Sequence, residues 1–274
     1  MSRAVERSDA AEHASGSADA RARATPAPGS DRERILALQQ SAGNRAVGRW
    51  LSGPERRLAR QRQTVRHGMR EAGVVGQPDV AWTASYDVEF TDGECIVTVF
   101  AAFNRDADVT EAQENTMRRQ ARRAIERIWD NRFELEDQDS GEVFPLRFRF
   151  VKVTRRPHVT INVHSGNGTD DVENWFIGSS ATDHAHEFGH QIAMYDEYVD
   201  ANVANRATAA SPGVRTDHSI MGDYPNEGVP RARARLRHGR RLARHIGGKV
   251  GRRLRARYRT AAPAPAPAPA PAGP

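Results

Sequence analysis

The stretch SSATDHAHEFGHQIAMYD, residues 179–196, decides how the rest of the chain is read. Ser179-Ser180 can open a helix, and the run from there to about Ile192 reads as one helical segment. His186 and His190 stand four residues apart, so they share a face and can direct ring nitrogens at one metal ion. Glu187, beside the first histidine, can reach a metal-bound water without being a ligand. A catalytic ion needs a third protein ligand and an open position. Asp196 lies six residues beyond His190, and a chain turning at Ala193-Met194 could bring its carboxylate back; Glu197 is the alternative carboxylate. His184 falls on another part of the helix surface and is expected to be exposed.

Strands precede this helix. Ala84–Phe90 and Cys95–Phe103 read as a hairpin around Thr91-Asp92-Gly93, because Asp-Gly suits a tight turn. Thr110-Glu111-Ala112-Gln113 is a capping box, and Met117, Ala121, Ile125, Ile128 and Trp129 follow at helical spacing. Leu146, Phe148 and Phe150 alternate with Arg147 and Arg149, as a half-buried strand should; Val159, Ile161 and Val163 do the same with Thr160 and Asn162. His158 and His164 flank that second strand with no obvious partner. After a turn at Ser165-Gly166-Asn167-Gly168, Trp175–Ile177 is a short strand. The expected fold class is α/β (α+β), a mixed twisted sheet with an active-site helix and a backing helix.

Downstream comes His218-Ser219-Ile220-Met221-Gly222-Asp223-Tyr224. HEFGHQIAMYD followed by Ser-Ile-Met resembles the metzincin clan of zinc peptidases, whose pattern is HExxHxxGxxH/D and then a tight turn carrying a methionine. The resemblance covers about residues 84–246. It implies Zn2+ as cofactor, with His186, His190 and Asp196 as ligands, Glu187 as general base and Met221 as the floor of the site. Tyr224 lies three residues after Met221, where some clan members place an active-site tyrosine at two. His218 reads as a loop residue. Ala193 stands where the clan has glycine, and a left-handed alanine costs about 1–2 kcal/mol. The implied reaction is metal-assisted hydrolysis of peptide bonds, with Glu187 passing the proton of water to the leaving amine. An extended peptide could pair with Trp175–Ile177 as an edge strand.

Outside this core the composition changes. Residues 1–30 are small, polar and Pro-punctuated, a disordered tail by composition, and 261–274 is an extended Ala-Pro tail. Between them the chain divides into a short helical segment (31–52), a polar connector (53–81), the catalytic domain (82–228) and a basic C-terminal helix (229–260). Leu242, Ile246, Val250, Leu254 and Tyr258 give that last helix one apolar stripe to pack on the domain. Charge divides similarly, with 14 basic and 9 acidic residues over 1–81, 14 and 26 over 82–228, and 13 and none over 229–274. The net charge of +6 thus describes the ends and hides an acidic core. Tyr258 is the sole aromatic of the basic stretch, which argues against base stacking and a stable nucleic-acid partner. The single cysteine, Cys95, excludes intrachain disulfides and a Cys-rich zinc site, and reads as a small buried residue. No apolar run reaches the ~18 residues of a membrane span, and residues 1–30 lack the apolar region of a secretory signal.

LQQSAGNRAV, residues 38–47, resembles a short segment recurring in bacterial proteins associated with extracellular contractile injection systems. That resemblance implies an effector or toxin made in the bacterial cytoplasm, loaded through residues 31–52 and exported as cargo without a Sec-type signal peptide. The expected function is a zinc-dependent endopeptidase acting on a protein or peptide. The alternatives are a non-catalytic zinc-binding interaction or packaging protein, which would not need Glu187, and an anionic-surface binder acting through the basic helix.

Overall fold

The computed structural model describes residues 62–91 and 93–259. It is a mixed α+β fold. Its strands are β1 (Gln63–Glu71), β2 (Val80–Thr91), β3 (Glu94–Arg105), β4 (Phe133–Asp137), β5 (Val143–Lys152), β6 (Val159–His164), β7 (Asn174–Phe176) and β8 (Leu254–Tyr258). Its α-helices are α1 (Glu111–Ile128), α2 (Ala181–Gln191), α3 (Tyr224–Glu227) and α4 (Leu236–Val250). The sheet order is β1-β2-β3-β5-β4-β8, with β6 on β3 and β7 on β6.

Strand β3 organises the sheet. Cys95–Ala101 runs parallel to Leu146–Lys152 of β5, while the other edge pairs first with β2, antiparallel, and then with β6, parallel, over Ala101–Arg105. Exchanging neighbours along one strand curls the sheet. The hairpin forms as its turn residues suggest: Thr91 sits opposite Glu94, and Gly93 takes φ +92°. The capping box of Thr110 and Gln113 starts α1, whose Met117, Ala121, Ile125 and Ile128 are buried in the core shared with β5 and α2. Cys95 is free and fully buried in β3, and burial pushes its thiol pKa up. Among the described residues no helix is long and apolar enough to cross a membrane.

Three strands, β1, β4 and β8, escape the sequence reading, and the first and last of them move the boundaries. The polar connector contains β1, in which Val65 and Met69 are 4% and 2% exposed while Arg66 and Arg70 face solvent. An edge strand needs only one apolar face, so its composition looks like a linker. The basic segment is not one helix. It stops at Gly251, which adopts the left-handed φ of +67°, and the chain continues as β8 beside β4. Leu242 and Ile246 are buried on α4, but Leu254 and Tyr258 belong to the strand. The charge segregation along the chain becomes pairing in space: Arg257 meets Glu134 and Glu136, Arg252 meets Asp137, and Arg253 meets Asp139. The ordered sheet therefore runs from Gln63 to Tyr258, beyond the expected 82–228 on both sides. The readings for 1–30, 31–52 and 261–274 lie outside the described residues.

His67 of β1 stacks on His245 of α4 with ring centroids 4.1 Å apart. Burial, then His67, Arg241 and Arg244, push the His245 pKa down to about 4. A histidine with a depressed folded pKa is fully stabilising above its unfolded value near 6.5 and loses that contribution as pH falls toward about 4. Between pH 7 and 4.5 the wild type should therefore lose on the order of 1 kcal/mol more than His245→Phe in urea titrations, the half-exposed ring being partly screened. Parallel losses in the two proteins would show that His245 does not carry this dependence.

Candidate metal centre

Helix α2 is built by local signals. The Ser180 hydroxyl accepts the Asp183 N–H, and Asp183 returns the bond to the Ser180 N–H at 2.8 Å. The other end closes as a Schellman turn: the Met194 N–H donates to Gly189 O at 2.9 Å and the Ala193 N–H to His190 O at 3.0 Å. Ala193 takes φ +67°, the conformation that the clan's glycine would adopt without strain. Gly189 lies against the methionine turn. A Cβ there would run into Met221 Sδ, with Trp129 Cζ2 3.0 Å behind it. Met221 is fully buried and packs on bare backbone between the two histidines.

Ala193→Gly should leave stability within about 1 kcal/mol of wild type. Relief of about 1–2 kcal/mol of left-handed strain is offset by the wider conformational freedom of glycine in the unfolded chain and by the lost methyl. That methyl packs with Met69 and Ala84. A thermal midpoint shifted by more than about 5 °C would show that one term dominates.

The turn brings Asp196 to the histidines. His186 Nδ1–H donates to Ile220 O at 2.8 Å and His190 Nδ1–H to Met194 O at 3.0 Å, which leaves Nε2 of both rings facing inward. Asp196 Oδ1 lies 3.1 Å from His186 Nε2 and 3.2 Å from His190 Nε2. It makes no properly directed hydrogen bond to either ring. Donors around one tetrahedral ion sit about 3.3 Å apart, which is the spacing seen here. Glu187 is set back, its oxygens 3.8 and 4.0 Å from the same nitrogens, and Oε2 is buried without a partner. His186, Glu187 and His190 each offer an atom within 4.8 Å of the others, so this buried group could hold a metal ion. Of the two carboxylates facing the imidazoles, Asp196 is nearer both.

The electrostatics are tightly balanced. Burial disfavours imidazolium, but Asp196 and Glu187 outweigh it, holding His186 above its ordinary value and pushing His190 up to about 9. Burial raises Glu187, whereas the two histidines overcome burial at Asp196 and keep it well below the usual carboxylate range. Asp196 Oδ2 is held by Arg206 Nη2 at 3.3 Å. Arg206 is 3% exposed, is anchored by Glu71 and Asp200, and lies over the Tyr198 ring at 4.8 Å. Sequence reasoning missed Arg206, Glu71 and Tyr198, because the irregular segment after Asp196 carries no periodic pattern.

Other expectations divide. Glu197 points away from the histidines: Arg237 and His238 bind its carboxylate and, against burial, bring its pKa down to about 2. Tyr224 is buried with its ring 5.8 Å from that of His186, but its hydroxyl donates to Asp183 Oδ1 at 2.6 Å. His218 is a loop residue at φ +58°. His184 is buried, contrary to expectation, because β7 covers that side of α2; it stacks on Trp175 at 4.7 Å. His158 and His164 do find partners, in Asp87 and Asp106.

The edge-strand expectation is corrected as well. The outward N–H of Asn174 donates to Asp171 and that of Phe176 to Asp170, while their carbonyls accept from Asp171 N–H and Ser179 N–H. No backbone group of β7 that faces away from β6 is left for an extended peptide.

Comparison of the chain with protein-family models, curated proteins and solved structures finds no match.

Proposed function

We propose that this chain is a zinc-dependent endopeptidase of metzincin-like build. The observation that carries the reading is the approach of Asp196 Oδ1 to His186 Nε2 and His190 Nε2, at 3.1 and 3.2 Å, with the buried Glu187 carboxylate beside them. Two imidazoles and one carboxylate suit zinc and leave a position open. When bound, the ion would supply Lewis acidity to a substrate carbonyl and lower the pKa of water.

The chain's own groups then divide the work. Both histidines have Nδ1 committed to main-chain carbonyls, so neither is free to act as base. Glu187 is free, and its raised pKa brings it closer to neutrality, where a base can take a proton and release it to a leaving amine. Arg206 positions Asp196 by occupying Oδ2 and leaving Oδ1 to face the imidazoles. Tyr224, tied to Asp183, serves as a wall of the substrate cavity. Residues 38–47 support export as injection-system cargo.

The closed outer edge of β7 favours a second reading, a non-catalytic zinc-binding protein for interaction or packaging. Metal analysis of the purified chain, with a peptide library offered to the zinc-loaded protein, separates the two. One zinc per chain and chelator-sensitive cleavage are expected. Zinc without cleavage would move the conclusion to the second reading, and no zinc would end both.

A further inference from the structure

A cavity of about 310 Å3 opens beside His186 and Glu187. Its charged lining is Asp170, Asp183, Glu187 and Asp223, with no lysine or arginine. Three of these carboxylates are already engaged: Asp183 accepts from the Tyr224 hydroxyl and the Ser180 N–H, both oxygens of Asp223 accept from Asn226 Nδ2 at 2.8 and 3.0 Å, and Glu187 belongs to the metal centre. Asp170 is different. Its side chain is 3% exposed, and Oδ1 accepts from Phe176 N–H at 2.8 Å and Ser179 Oγ–H at 2.9 Å. Oδ2 has no hydrogen-bond partner, and His184 Nε2, 3.6 Å away, is engaged with Phe176 O. A buried carboxylate oxygen left unfilled is costly until a donor or cation reaches it. Burial pushes Asp170 up to about 6, and a cation beside it would bring that value back down. Half-buried Asp223 lies on the same lining, and Tyr198 and Tyr224 offer aromatic surface to an aliphatic stem.

We propose that this cavity seats the substrate side chain next to the scissile bond and selects a cationic one, arginine or lysine, through Asp170 with Asp223. The assignment to the scissile bond rests on the peptidase reading; the cationic preference of the cavity does not.

The test uses the full-length zinc-loaded Glu187→Gln protein, so that binding is measured without turnover. Capped pentapeptides of alanine with a central arginine, lysine or norleucine are titrated calorimetrically. The arginine and lysine peptides should bind about tenfold or more tightly than the norleucine peptide, as charge-assisted bonds to a buried carboxylate allow. Asp170→Asn keeps an oxygen for Phe176 and Ser179 and should remove most of that preference without changing norleucine binding. Asp223→Asn, on the more accessible wall, should reduce the preference less, and its circular dichroism should match that of the parent protein. Equal binding of the three peptides overturns the proposal, as does a preference undiminished in the Asp170→Asn/Asp223→Asn double variant. Library cleavage by the wild type is read alongside. Cleavage sites without a flanking basic residue would overturn the subsite. Charge-selective binding with no cleavage would overturn the peptidase reading and leave the cationic pocket standing.

Discussion

Glu187→Gln should keep its full complement of zinc and lose peptide hydrolysis by at least about a hundredfold. The substitution is nearly isosteric at a side chain that is 5% exposed, so packing is unchanged. It removes the capacity to take a proton, and positioned acid–base groups typically contribute about 10²–10⁴-fold. Zinc should stay because the Glu187 oxygens, at 3.8 and 4.0 Å from the imidazole nitrogens, stand farther back than Asp196. The measurement is zinc per chain beside the initial rate on a peptide library. Equal rates in wild type and variant would remove Glu187 from the mechanism. Loss of zinc together with activity would instead make Glu187 a ligand, a role its place within 4.8 Å of both histidines also permits.

Adjacent carboxylates should fail in opposite ways. Asp196→Ala removes one of three proposed ligands and leaves Arg206 beside two imidazoles, so zinc should bind at least about a hundredfold more weakly in chelator competition. Replacing His186 and His190 together with alanine should abolish binding. Glu197→Gln should leave zinc affinity near wild type and instead cost about 1.5–3 kcal/mol of stability, the range for hydrogen bonds to charged groups. The charge lost there is the one that Arg237 binds, at 2.5 and 2.6 Å. Wild-type zinc affinity in Asp196→Ala would transfer the third position elsewhere, and the Glu197→Gln titration would show whether it went one residue along.

Those contrasts mark where the residues alone were readable. The caps at Thr110 and Ser180 and the Asp-Gly hairpin are contacts between residues within three positions of each other, and all form. Strand β4, Phe-Glu-Leu-Glu-Asp, was not readable because its acids look solvated; Glu134 and Asp137 are buried only because arginines arrive from the far end of the chain. Strand β8 was hidden for the reciprocal reason. Its arginines extend an apparently helical basic run, and only Gly251 marks the break.

By itself, the order of residues determined a helix with two histidines on one face and the glutamate beside them, while the methionine turn downstream was implied by the family resemblance. The helix and the face its histidines share follow from helical periodicity. Only the tertiary structure decided which of two consecutive carboxylates meets the imidazoles. Arg206 draws Asp196 into place while Arg237, forty residues from Glu197, draws that side chain the other way. The tertiary structure also closed the edge of β7 with Asp170 and Asp171, and left one buried oxygen of Asp170, a residue of the cavity lining, without a hydrogen-bond partner. The reason is physical: helix geometry repeats within a few residues, whereas the partner of a buried charge depends on which distant side chain the fold delivers to it.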